Sequence, residues 1–372
     1  MKKLYNTMEK LRNNPVLLQQ YHDTIESTRK SNHRRSGLTE HGGRIIHYLA
    51  RQAILTPHKN TTKLRVVFDA SAHHENCPSL NDMLNEGPKV LGIPWNTERD
   101  ELTLTCTYPP KKTCTKRSVS EQVAAVYDPH GWLTPLTLKG KQFLQQLWKN
   151  GYDWDTNLSI DHQQQWDEIV RNAGFQHRTP RKIAEIHQPP RLVVFADASA
   201  QSMATCAYLV TNNVAHLIAG KSKLPAIKGS PTIPKLELNA LTMATRLTLS
   251  IYKAIRSKST IESIVILSDS KVTLSWISKV QPDRNAVVLV RNRTREIQEI
   301  VETLPVPVSF GYVPTCDNPA DCGTRGVTKY EFENHIWWTG PTFIATPTDE
   351  WSNKIRLMRL PIDSEENDSD CY

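Results

Sequence analysis

Beyond residue 190 the chain alternates short apolar runs with longer stretches of helical period. Residues 192–196 form a continuous apolar run, and 205–211 and 215–222 read as two more strands. In the stretch 235–255, Leu236, Ala240, Met243, Leu247 and Ile251 fall on one side of a long helix. Residues 264–267 predict a fourth, buried-type strand, 270–280 and 286–303 two helices, and 306–312 a fifth strand. The order β-β-β-α-β-α-α-β is that of an α/β domain with a mixed five-stranded sheet and flanking helices.

The first half is less regular. Residues 1–60 are polar and basic, with a cluster at 29–35 and helical patterns at 5–12 and 15–27. An apolar strand-like run at 63–71 enters a polar loop, followed by the short segment 79–84. The runs 90–95 and 102–104, joined by the polar turn 96–100, have the pattern of a hairpin. Residues 106–117 are rich in Pro and Lys and read as a connector. From 118 to 150 the pattern is helical, interrupted at Asp128-Pro-His-Gly131 and at Pro135, with Leu136, Phe143, Leu144 and Leu147 near one face of the second helix. A further helix is expected at 161–173. Three prolines in 179–190 mark a linker and a domain boundary. The acidic, polar segment 346–372 is expected to be disordered. The predicted organisation is 1–117, an α+β region; 118–180, helical; 190–328, the α/β domain; and 329–372, a tail.

Composition narrows the partners. The 372 residues carry a formal net charge of +8, which favours a polyanion. Seven cysteines without CxxC pairs read as reduced intracellular thiols, and no zinc spacing surrounds Cys316 and Cys322. No apolar run reaches the roughly 18 residues of a membrane span, and the N-terminus has no apolar signal core. An intracellular location, cytoplasm or nucleus, and no membrane partner are expected.

Four acids occupy suggestive places in the second domain. Asp197 ends the first strand, Glu237 lies early in the long helix, Asp269 follows the fourth strand, and Asp321 lies in a loop beyond the fifth. Each alone has a structural reading: Asp269 as a cap, Glu237 as a complement to the helix dipole, Asp321 as a turn cap. Together, on a sheet whose first and fourth strands are neighbours, they would converge. Clustered carboxylates repel unless cations neutralise them, and oxygen-only ligands select Mg²⁺ or Mn²⁺.

The segments Val194-Phe-Ala-Asp-Ala-Ser199, Pro234-Lys-Leu-Glu-Leu-Asn-Ala240, Leu267-Ser-Asp-Ser270 and Asn318-Pro-Ala-Asp-Cys-Gly-Thr-Arg-Gly326 resemble, in order and spacing, the ribonuclease H domain of BEL/Pao-type retrotransposon polyproteins. The resemblance implies a ribonuclease H-like fold, with Asp197, Glu237, Asp269 and Asp321 as catalytic ligands to two Mg²⁺ or Mn²⁺ ions. It also implies endonucleolytic cleavage of the RNA strand of an RNA–DNA hybrid. Residues 63–87 and 90–96 resemble parts of the same polyprotein's reverse transcriptase. Residues 118–154, with YDPHGWLTP and WKNGYDW, resemble the segment joining polymerase to ribonuclease H, and 336–341 resemble the stretch before the integrase. Other polyprotein segments are therefore implied partners. Most of a polymerase palm is missing between Pro88 and Lys89, and no Tyr-x-Asp-Asp occurs in the chain, so DNA synthesis is not expected. Asp69, in a strand-to-turn segment resembling that of Asp197, reads as structural. The loop 313–320 has no His, unlike most cellular ribonucleases H.

Hybrids are recognised through A-like geometry and 2′-hydroxyls. The candidate nucleic-acid-binding residues are Lys221, Lys223, Arg284 and Arg325, with Lys221 and Lys223 sharing one face of a strand. Arg291, Arg293 and Arg295 scatter around a helix and read as solvated surface, and Trp276 as core or as a stacking platform. Two alternatives stay open: a catalytically silent nucleic-acid-binding remnant, and a fragment active only when joined to polymerase and integrase parts.

Overall fold

The computed structural model describes residues 88–182, 188–229, 231–279, 287–351 and 355–361, two strands before them, and six helical residues from Pro15 to Glu26. The chain divides into two compact units, Met1–Gly87 and Pro88–Tyr372. In the first, β1 (Ala50–Leu55) pairs antiparallel with β2 (Leu64–Asp69), which is the strand expected at 63–71. The helix expected at 5–12 and the segment 79–84 lie outside the described residues. Among the described residues no helix is long and apolar enough to cross a membrane.

The second unit is built on a sheet whose strand order is β12-β11-β10-β7-β8-β9, with the short β12 (Leu357–Met358) at one edge. Strands β7 (Arg191–Ala198), β8 (Met203–Thr211) and β9 (Val214–Lys223) form an antiparallel meander, while β10 (Ser263–Ser268) and β11 (Val308–Tyr312) add in parallel on the other side of β7. These are the five expected strands, with the first and fourth side by side as the convergence of the acids requires. The apolar run of β7 suits a strand covered on both faces. Leu192, Val194 and Ala196 belong to one core, Val193 and Phe195 to the other.

The first core lies under α4 (Ile233–Ile255), α5 (Lys271–Ile277) and α6 (Val288–Glu302). Leu236, Ala240, Leu241 and Ala244 carry the buried stripe of α4, as its 3.6-residue period requires. Trp276 packs half-buried against this core. Arg293 is held by Asn239 and Glu296 at 2.9 and 2.8 Å.

The opposite face is filled largely by residues from before the expected boundary. Helices α1 (Lys116–Ala125), α2 (Thr134–Lys149) and α3 (Ile160–Ala173) pack on a second, antiparallel sheet of order β3-β4-β5-β6. Its strands are β3 (Lys89–Val90), β4 (Ile93–Asn96), β5 (Glu101–Cys106) and β6 (Phe175–Pro180). Their apolar side chains join Val193, Phe195, Tyr208 and Val265 in one continuous core. The linker expected from 179 thus begins inside β6, which pairs with β5 from Cys106↔Phe175 to Glu101↔Pro180. With one apolar residue in FQHRTP, this edge strand shows no alternation to read.

Asp128 prepares α2 by accepting the N–H groups of Trp132 and Leu133 at 2.9 and 2.8 Å. The preceding loop closes on the sheet's edge, where Gly220 N donates to His130 O at 2.8 Å. Gly131 has φ +71°, and a Cβ there would lie 1.8 Å from Gly220 O. A Cβ on Gly220 would lie 2.5 Å from Gly131 O and 2.6 Å from the Trp337 ring. Only glycine at both positions lets the backbones approach this closely.

The expected disorder from Thr346 is corrected in the described part of that segment. Arg191 donates to Ile344 O and Thr346 O at 2.9 and 2.6 Å and lies over the Trp351 ring. Trp351, Ile355 and Leu360 are buried, and β12 (Leu357–Met358) pairs with β11 as a sixth strand. These separated apolar residues offset the polar composition around them. Residues 362–372 lie outside the described residues.

Candidate active site

Asp197 and Asp269 approach because their strands do. In the parallel pair β7–β10, Ala196 stands opposite Ser268, so the two aspartates leave the ladder in step. Asp197 continues the Val193–Phe195 face, beneath α7 (Asp321–Arg325), and is 7 % exposed. Burial is the largest influence on its carboxyl group. It is only partly offset by a hydrogen bond from Thr324, and the charges of Asp269 and Asp321 add to it, so the pKa is pushed up to about 7.

Asp321 opens α7, and the NPADCGT segment is clipped at three points to β7 and the residue that follows it. Asn318, itself buried, donates from Nδ2 to Ala196 O at 3.1 Å. The Thr324 hydroxyl donates to Asp197 Oδ2. Ser199 Oγ donates to Thr324 O at 3.2 Å. Arg325 Nε donates to Asp321 Oδ1 at 2.7 Å, which raises the guanidinium's pKa further.

Glu237 reaches the same end of the sheet from α4. Its Oε2 accepts from Ser270 Oγ at 2.5 Å, and Ser270 also caps α5. Burial raises the Glu237 pKa, the Ser270 hydrogen bond opposes the rise, and the charge of Asp269 reinforces it. Asp269 Oδ2 accepts from Thr315 Oγ1 at 2.7 Å.

The four predicted acids therefore come to one end of the sheet, where Asp197 interacts electrostatically with Asp269 and Asp321, and Asp269 with Glu237. Among the described residues, no three acidic, histidine or cysteine side chains stand close enough to hold a metal ion as placed. In donor chemistry the set fits Mg²⁺ or Mn²⁺: it offers oxygen only, from acids that repel one another. The second oxygens of Glu237, Asp269 and Asp321 accept no hydrogen bond among the described residues.

The predicted cations are less concentrated. Lys221 and Lys223 are exposed on β9, but the register runs Asp197↔Ala204↔Ser222, so both lysines point to the α4 face, away from Asp197. Arg325 is at the site, paired with Asp321. Arg284 lies outside the described residues. Sequence reasoning missed the residues that hold the acids: Thr324, Ser270, Thr315, Ser199 and Asn318. Asn318, Thr324, Ser270 and Ser199 lie within the four motifs and only Thr315 lies outside them, but nothing in composition distinguishes their hydroxyls and amide from ordinary turn residues.

Residues 115–270 match the sequence family described as the Pao retrotransposon-like RNaseH-like domain. No curated protein matches the chain. Among solved structures, ribonuclease H1 from Halobacterium salinarum is 16% identical, with 36% of this chain and 95% of that one covered and a TM-score of 0.29. A ribonuclease H1 isolated from compost is 16% identical, covering 37% and 93%, with a TM-score of 0.28. A foamy viral protease-reverse transcriptase, solved in complex with an RNA/DNA hybrid, is 16% identical, with 55% of this chain covered but 26% of the viral chain, and a TM-score of 0.35.

Proposed function

We propose that this chain, which carries a ribonuclease H-like domain of the Pao retrotransposon type, hydrolyses the RNA strand of RNA–DNA hybrids. The observation that carries the reading is the meeting of Asp197, Asp269 and Asp321 at one end of the sheet, with Glu237 tied in through Ser270.

In this reading Asp197, Glu237, Asp269 and Asp321 would hold two Mg²⁺ or Mn²⁺ ions, whose chemistry is Lewis-acid polarisation of a phosphodiester and supply of a nucleophile at neutral pH. The protein's own contribution is preorganisation. Thr324, Ser270 and Thr315 orient one oxygen of their carboxylates, and Asn318 and Ser199 fix the segment bearing Asp321 to β7. Arg325 balances Asp321 and turns to a substrate phosphate when the acid is otherwise neutralised. Lys221, Lys223 and Arg284 are proposed to contact the hybrid backbone away from the cut. No polymerase activity is proposed, since the chain lacks a Tyr-x-Asp-Asp. The proposed setting is intracellular, beside other segments of a transposon polyprotein.

The test is cleavage of a labelled RNA–DNA hybrid by the full chain with Mg²⁺ or Mn²⁺, with chelator, and by Asp197→Asn. We expect metal-dependent cutting of the RNA strand and a fall of at least about 10²-fold in the variant, the scale of losing a catalytic electrostatic group. One observation favours a second reading: every one of the four acids is already engaged by a partner within the chain. A folded protein that binds the hybrid and never cuts it would establish that silent, binding-only form.

A further inference from the structure

From residue 132 to residue 140, at the start of α2, every position is buried except Lys139. Its stem is not loose in solvent. A Cβ built on Gly326 would lie 3.0, 3.3 and 3.5 Å from Lys139 Cε, Cγ and Cδ, so the chain of methylenes runs across the backbone that leaves α7. This is the common arrangement of a lysine that packs its stem and keeps its ammonium in water. Lys139 forms no ion pair among the described residues. Two acids, Glu168 and Glu331, line the same cleft as Lys139. Glu331 is committed to Thr328 at the start of α8 (Lys329–Glu333), and Glu168 forms no ion pair with Lys139. Arg325, one residue from Gly326, is neutralised by Asp321.

We propose that Lys139, contributed by the segment before the ribonuclease H-like sheet, holds a backbone phosphate of the bound hybrid beside the cutting site. Gly326 follows Asp321 by five residues, about 7 Å at ~1.5 Å per helical residue. Along a nucleic-acid strand that is about two nucleotides at ~3.4 Å each. Lys139 is therefore a positioning residue: it acts on register and affinity and touches no reacting atom. The inference rests on the hybrid-binding part of the proposed function and makes α2 part of the substrate surface.

The experiment is equilibrium binding of a fluorescent RNA–DNA hybrid to the full chain in chelator, from about 50 to 300 mM salt, for wild type, Lys139→Ala and Lys139→Arg. One lost phosphate contact lowers the slope of log K against log salt by about 0.7–0.9. We expect that change in Lys139→Ala, with binding weakened roughly 5- to 10-fold at low salt, and recovery of slope and affinity in Lys139→Arg. The thermal midpoint, compared in parallel, is expected to be unchanged, and Lys139→Gln replaces Ala should Ala shift it. In cleavage assays KM rises while kcat holds, the mark of uniform binding. An unchanged salt slope, or Arg binding as weakly as Ala, overturns the proposal, as does a wild type that does not bind the hybrid. A Lys139-dependent slope in a protein that never cuts would uphold the proposal and reject the nuclease reading.

Discussion

At the scale of single residues, Asp197 carries a cost that its function would explain. Its carboxyl group ionises near 7 in the fold against 3.8 as the ordinary value, chiefly through burial. The native state therefore binds a proton that the unfolded chain has released. This contribution to stability is full below about pH 4, falls as pH rises to about 7, and is level beyond. In chelator the thermal midpoint should decline between pH 5 and 8, and Asp197→Asn should flatten the decline. At pH 8 the variant should be the more stable by roughly 2–4 kcal/mol at ~1.4 kcal/mol per pKa unit. Parallel midpoints for the two proteins across that range would refute the burial argument. The acids themselves were legible in the sequence, because a strand end or a motif marked each one. The hydroxyls that hold them were not. Serine and threonine donate in many settings, and Thr324 finds Asp197 across 127 positions of sequence.

At the scale of elements, period decided what could be read. The strands β7 to β11 and helices α2 and α4 have apolar runs or stripes long enough to reveal themselves, whereas β6 and β12 have almost none. The contact between the Gly131 loop and β9 was equally hidden, since a glycine required by a neighbouring backbone looks like any turn glycine. It is testable. Gly220→Ala places a methyl against both Gly131 O and the Trp337 ring and should cost about 2–3 kcal/mol in urea unfolding, the range of overpacked sites. Gly174→Ala, where the nearest atoms are 4.0 Å away, should stay within about 0.5 kcal/mol. Equal effects of the two would show that the edge contact is not tight.

For the whole molecule, the proline-rich stretch at 179–190 marks the course of the chain, and the packing crosses it. Phe195 and Tyr208 are covered from α2 and the C-terminal segment as well as from their own sheet. A fragment of residues 190–328 should consequently expose that face, bind hydrophobic dyes and unfold without a cooperative transition. Residues 88–361 should unfold in a single one. Cooperative unfolding of the shorter piece would restore the boundary that the prolines suggest.

The hydrogen bond from Trp337 Nε1 to Trp132 O, 2.8 Å long, spans 205 positions. During synthesis at ~5–20 residues per second, Trp132 would be made roughly 10–40 s before its partner. Throughout that interval the apolar side of α2 has only part of its final cover. The burden of this architecture thus falls on the nascent chain: anything that slows translation between the two tryptophans lengthens the time in which it must be shielded from aggregation or degradation.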